Sequence, residues 1–269
     1  MIDIINFKNY LKTINLSDNT ISAYEKTLLI YDSLYKEINK KNLLGFKGYL
    51  IEKYKPKTVN LRIQAINKYL EFIKKDKLKL QAIKIQQKTF LENVISDADY
   101  TYLKNQLKKD GNMEWYFVVR YLCATGARVS ELVQLKIEHI KLGHFDIYSK
   151  GGKIRRIYIP KALQLETLEY FKSNNITTGF MFLNKYGKRI TTRGISIQLK
   201  KLAVKYDINP IVVYPHSFRH RFAKNFLDKF NDIALLADLM GHDSIETTRI
   251  YLRRTSTEQK DIVDKTVTW

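Results

Sequence analysis

Apolar residues recur at helical spacing along the first third of the chain. After Ser17, the residues Ile21, Tyr24, Leu28, Tyr31 and Tyr35 fall on one face, and the serine hydroxyl is placed to cap the first turn. Leu43, Phe46 and Leu50 carry a second stripe. Pro56 interrupts the chain, and Val59, Ile63, Ile66, Leu70 and Ile73 form a third stripe that begins near Thr58. These stripes predict a small all-helical unit over residues 1–82, with the stripes as its core. From Leu80 to Val94 the periodicity lapses into polar and basic residues, so residues 83–95 read as an inter-domain linker. Ser96, followed three residues later by Asp99, resembles a capping box and opens a second domain over residues 96–269.

In that second domain the run from Met113 to Thr125 predicts a strongly apolar helix. Gly126 is placed to end it in the left-handed conformation that glycine tolerates best. The segments HFDIYS and RRIYIP flank Lys150-Gly151-Gly152-Lys153 and predict a β-hairpin. A helix over 161–172, a short strand in GFMFLN and a helix from Thr192 to Lys205 follow, then helices starting near His216, Asp232 and Ser244. The fold class is therefore mainly α with a small β-sheet or hairpin, divided into an N-terminal helical domain and a larger C-terminal one.

Charge narrows the set of partners. The 269 residues include 47 Lys+Arg against 27 Asp+Glu, a net +20, while apolar residues make up 45% of the chain. A folded protein this basic repels itself, which points to a polyanion such as nucleic acid or an acidic membrane surface. Residues 1–90 alone hold 18 basic and 8 acidic side chains, half of the excess in one third of the length. No apolar run approaches the roughly 18 residues of a membrane span, and MIDIINFKNY does not read as a signal peptide. The single Cys123 excludes an intrachain disulfide framework and a Cys-rich zinc site, which fits a reducing, cytoplasmic setting. Cys123 itself reads as core packing on the apolar helix.

Several chemistries lack their residues. There is no GxxxxGK[ST] phosphate loop, no GxGxxG turn, no HExxH and no dense acidic cluster for two metal ions. No cofactor and no metal are expected. What remains is a dispersed polar set rich in Arg, His and Lys. Three stretches stand out: ATGARVSEL at 124–132, HSFRH at 216–220 and LMGHDSIETTRIY at 239–251. Together with the lysine hairpin they resemble the tyrosine recombinase family, the integrases and Xer-type proteins that cut and rejoin DNA through a phosphotyrosine. The resemblance extends over nearly the whole chain, since residues 17–80 are similar to the family's helical core-binding domain.

In-line attack on a phosphodiester builds charge on two non-bridging oxygens, and planar guanidinium forks match that geometry. Arg128 and Arg219 are the candidates for that clamp. An isolated Arg at a helix start would be an ordinary surface residue about four times in five; the motif set reverses those odds. His216 and Arg219 are three apart and can project from one face of a helix. The resemblance implies that His216 helps orient the phosphate and handle protons, and that His242 donates a hydrogen bond to it. It also implies that Tyr251, nine residues after His242, is the nucleophile. A free phenol, with a pKa near 10, needs cationic neighbours to become a phenolate, and only the motif singles Tyr251 out from the chain's 18 tyrosines. Lys150 is implied as the general acid for the leaving oxygen, with Lys153 as a rival because SKGGKIRRIYIP departs from the commoner GKGNKER form. Glu131 matches the family's acidic position and is implied to orient groups in the site. His220 reads as a capping or core residue, and His139 and His144 match nothing.

The resemblance thus implies a site-specific recombinase acting on double-stranded DNA through a 3′-phosphotyrosine, in integration or excision, inversion or dimer resolution. It further implies a homo-tetramer on two DNA sites, a dimer on each, with a C-terminal tail, residues 252–269, exchanged between protomers. A type IB topoisomerase-like relaxing enzyme and a DNA-binding regulator without chemistry are the alternatives.

Overall fold

A computed structural model describes residues 2–85, 93–148, 154–252 and 256–267, with side chains in the last stretch from residue 259 onward. The chain divides into two compact units, Met1–Gln87 and Lys88–Trp269. Among the described residues, no helix is long and apolar enough to cross a membrane.

The first unit is built from α1 (Ile4–Thr13), α2 (Asp18–Leu34), α3 (Lys40–Lys53) and α4 (Pro56–Phe72). Side chains cap three of these helices: Asp3, Ser17 and Asn39 each accept a backbone N–H of the first turn. The fourth begins with Pro56 at its first turn, where a missing N–H costs nothing. Pro56 therefore starts this helix, two residues earlier than the apolar stripe suggests. The stripes converge on one core that includes Leu28, Tyr31, Phe46, Leu50, Ile63 and Leu70, with Phe7 and Leu11 added from α1. Two asparagines of α4 then clasp the chain that leaves the unit. Asn67 accepts from the Leu80 amide and donates to the Leu80 carbonyl, both at 2.8 Å, and Asn60 does the same for Ile83 at 2.9 Å. Ile83, expected to begin the linker, is thus fixed to the helical unit. At the other end Ile95 is fully buried, and its amide donates to Ser217 Oγ at 2.7 Å.

The second unit contains α5 (Asp97–Lys109), α6 (Met113–Thr125), α7 (Val129–Leu132), α8 (Ile137–Leu142), the strands β1 (His144–Tyr148) and β2 (Ile154–Tyr158), α9 (Lys161–Ser173), α10 (Thr192–Lys205), α11 (Pro215–Phe230), α12 (Ile233–Met240), α13 (Ile245–Arg249) and α14 (Ser256–Thr266). Helix α6 is buried almost all round, from Tyr116 to Thr125, and is the spine of the main core. It ends at Gly126 with φ +61°, where a Cβ would lie 2.4 Å from the ring of Phe222 on α11. Both the backbone and the close helix approach therefore require glycine at this turn. Strands β1 and β2 pair antiparallel, with Phe145 opposite Ile157 and Tyr148 opposite Ile154. Phe145, Ile157 and Ile159 turn inward.

GFMFLN does not form the expected strand. Its only ladder contacts among the described residues are isolated bridges, Lys136 with Phe180 and Leu183 with Arg189. Gly179 sits at φ +101°, and Asn184 Oδ1 takes the amides of Tyr186 and Lys188, so side-chain turn bonds close the segment on itself. A second, smaller cluster lies apart from the main core. Ala223 and Leu227 of α11, Leu236 and Met240 of α12, and Tyr251 on a 3₁₀ turn at Ile250–Leu252 make it up.

Candidate active site

Gly126 releases the chain from α6 so that Arg128 caps α7 with extended backbone and an exposed side chain. Glu131, one turn on, is buried and accepts the Arg128 amide on Oε2 at 2.7 Å and Arg128 Nη1 on Oε1 at 2.9 Å. Arg128 Nη2 donates to the Gly241 carbonyl at 2.9 Å. The guanidinium is thus fixed at two points while much of it faces solvent.

Arg219 is the largest fully buried side chain among the described residues. Its Nη1 donates to the Gly126 carbonyl and its Nη2 to the Met240 carbonyl, each at 2.6 Å. Nη2 also lies 3.1 Å from His242 Nε2. A guanidinium can only donate, so Nε2 must be the acceptor and Nδ1 carries the proton, which it donates to Thr248 Oγ1 at 2.8 Å. Burial and then the cations Arg128 and Arg155 pull the Arg219 pKa down to about 10, which leaves it charged at neutral pH. Its Nε has no partner among the described residues. An unmet buried donor costs about 1–3 kcal/mol, and an anion brought to this guanidinium would relieve that cost.

Tyr251 is buried with 4% of its surface exposed. Its ring stacks on His242 at 6.1 Å between centroids and meets the edge of His220 at 5.2 Å. The expected cationic neighbours are present, since Arg219 and Arg128 both pull the phenol pKa down. Burial outweighs them and raises it above the usual 10. At rest Tyr251 is therefore a protonated phenol.

His216 stands exposed at the start of α11, on the rim of a cleft of about 380 Å³ that Arg128, Tyr214 and Arg219 also line. Partial desolvation in that cleft, then Arg219 and Arg128, lower its pKa. His220 contacts His216 ring to ring at 4.5 Å and touches Tyr251, so the residue read as ordinary core packing forms the wall between two candidate site residues. Burial first, and then nearby charges, push His220 and His242 down to about 4 from 6.5. Between those values the unfolded chain binds more protons than the folded one. Stability is therefore expected to be fully present above pH 6.5 and to be lost as the pH falls towards 4. Urea midpoints measured across this window should fall more steeply for the parent than for His220→Asn; equal slopes would contradict a buried neutral His220.

Arg128, Glu131, Arg219, His242 and Tyr251 are brought together, with His216 at the rim. Lys150 and Lys153 lie outside the described residues. Two contributors carried no recognised signal in the sequence: Thr248, whose hydroxyl accepts the His242 Nδ1 proton, and Arg155, which donates to both oxygens of Glu131. Cys123 is buried in the core, where its thiol pKa is raised to about 12. His139 accepts the Lys136 amide and stacks on Phe145.

A family model described as the phage integrase family matches residues 93–258. The tyrosine recombinase XerA of Pyrococcus furiosus is 30% identical over 268 residues, covering 96% of this chain and 92% of that protein. The tyrosine recombinase XerD of Oceanobacillus iheyensis is 27% identical, covering 92% and 91%. Among solved structures, the integrase of transposon Tn1549 in complex with transposon right-end DNA superposes with a TM-score of 0.73 at 15% identity, covering 100% of both chains. The XerH site-specific recombinase bound to its difH substrate in a pre-cleavage complex gives 0.69 at 19% identity, covering 96% of this chain and 83% of that one. At these identities the superpositions establish a shared fold.

Proposed function

The chain belongs to the phage integrase family and is a site-specific tyrosine recombinase, and on that premise we propose how its residues cut and rejoin DNA. One observation carries the assignment of roles: Arg219, His242 and Tyr251 touch in sequence, and the Gly241 turn holds Arg128 beside them. Tyr251 Oη attacks the scissile phosphorus in line, the bond to the 5′ oxygen breaks, and a 3′-phosphotyrosine conserves the bond energy. Arg128 and Arg219 hydrogen-bond the two non-bridging oxygens as their charge grows. His216, at the rim, orients the phosphate and takes part in moving the Tyr251 proton. His242 donates from Nε2 to the phosphate once that nitrogen carries a proton. The leaving 5′ oxygen takes its proton from Lys150, with Lys153 as the rival donor. Attack by a 5′ hydroxyl of the partner strand reverses the sequence without nucleotide hydrolysis.

The Lys surplus of residues 1–90 supplies counterion-releasing contacts to duplex DNA. The working assembly is a homo-tetramer on two sites, a dimer on each, and it acts in the cytoplasm. The test is covalent. Duplexes with a randomised core and a nick in one strand are mixed with the protein, and DNA that stays protein-linked after denaturation is sequenced. A 3′-linked adduct at a defined sequence is the expected result; recovery of no linked DNA would overturn the reading.

A further inference from the structure

Arg155 lies in the lysine-hairpin stretch but was given no role there, yet its guanidinium is tied into the base of the site by three hydrogen bonds. It leaves β2 one residue after the strand begins and is buried with 8% exposure. Its Nη1 reaches Glu131 Oε1 at 2.7 Å and Oε2 at 2.8 Å, and its Nε donates to the Leu239 carbonyl at 2.8 Å. Its stem runs so close to the Gly241 turn that a Cβ there would lie 2.3 Å from Arg155 Cδ. Arg156, the next residue, pairs instead with Asp146 on the exposed face of the hairpin. Alternation along the strand thus separates a surface ion pair from a buried one.

Among the described residues Glu131 is the acceptor that Arg128 and Arg155 share, and each of its oxygens receives one bond from each residue. A buried carboxylate with a single cationic partner draws that partner into a two-pronged grip. Arg155 takes up part of this demand. Arg128 then spends one Nη on Glu131, keeps the other at the Gly241 carbonyl, and stays exposed towards the cleft. We propose that Arg155 is a positioning residue for strand cleavage, one that holds Arg128 in its phosphate-clamping pose through Glu131. The proposal rests on the recombinase reading above.

The test uses the nicked duplex that the parent protein captures covalently. In single turnover, Arg155→Gln is expected to cleave roughly 10–100-fold more slowly, the usual scale for losing a group that orients a functional one, with DNA affinity unchanged. Arg155→Lys restores part of the rate, because an ammonium still meets Glu131. The decisive comparison is Arg128→Ala against Arg128→Ala/Arg155→Gln. If Arg155 acts through Arg128, the double variant is no slower than the single one. A parental rate for Arg155→Gln, or a double variant slowed by the full product of the two effects, overturns the proposal. Should Arg155→Gln fail to fold, the same cycle is run with Arg155→Lys. Nitrogen-15 spectra of the DNA-free protein judge the point without activity: separate Arg128 Nη signals in the parent should merge in Arg155→Gln, and their persistence would refute the coupling. If the parent captures no DNA, the recombinase reading falls while the spectra still decide whether Arg155 fixes Arg128.

Discussion

A Tyr251→Phe protein is expected to bind DNA as the parent does and to form no covalent adduct. The substitution removes one oxygen and keeps the ring, so the stack on His242 and the edge contact with His220 survive. Only the hydroxyl is lost, a change worth about 1 kcal/mol of stability or less. The phosphate would still meet Arg128 and Arg219. Without Oη there is no atom to form the phosphotyrosine, and slow hydrolysis cannot mimic it, because water leaves no protein-linked strand. Denaturing electrophoresis of the protein with its nicked duplex reads the outcome, and filter binding supplies the affinity control. An adduct that persists in Tyr251→Phe would pass the nucleophile's role to another of the 18 tyrosines.

The second large effect is expected at Arg219, where the proposed phosphate clamp and the fold share one side chain. Arg219→Lys keeps the positive charge but loses the fork. A single ammonium cannot reach the Gly126 carbonyl, the Met240 carbonyl and His242 Nε2 together, as the guanidinium does at 2.6, 2.6 and 3.1 Å. At least one buried carbonyl is left unmet, and the fully buried ammonium carries its own desolvation cost. Stability should fall by about 2–4 kcal/mol, read from urea midpoints. Cleavage should fall at least about 10²–10³-fold, the scale for losing one donor to a developing oxyanion. His242 Nε2 would also lose the Arg219 contact that helps hold the imidazole in place. A variant that folds less stably yet cleaves at the parental rate would show that Arg219 is purely structural.

How far the chain could be read in advance depended on how local each signal was. Ser17, Ser96, Gly126 and Gly241 mark helix ends through bonds or backbone angles within one turn, and the helices they bound are where the apolar stripes put them. The stripes missed α1, although Ile4, Phe7 and Leu11 are helically spaced in it, and the short α7 and α8, whose four and six residues are too brief to show a period. GFMFLN has the composition of a strand, but its backbone bonds are taken by turns and single bridges. The candidate site followed the same rule. Arg128 with Glu131, and His216 with Arg219, are spaced by one helical turn and could be paired by eye. Arg155 and Glu131 are separated by 24 residues; the alternation of RRIYIP puts Arg155 on the face of Ile157 and Ile159, but which acceptor it meets there is set only by folding. The raised phenol pKa of Tyr251 was illegible for a related reason: its cationic neighbours are written in the motifs, whereas the burial that outweighs them exists only after folding.

Tyr251 is housed in the small cluster with Ala223, Leu227, Leu236 and Met240, apart from the core built on α6. Segments with their own small core can open without global unfolding, at a free energy set by their own contacts. On the proposed roles, presentation of the Tyr251 hydroxyl is then expected to depend on the contacts of this small cluster as well as on the main core. A one-methylene change at the buried Leu236 or Met240 is therefore expected to change how often Tyr251 is presented more than it changes global stability, so that recombination frequency and protein lifetime would answer to different residues.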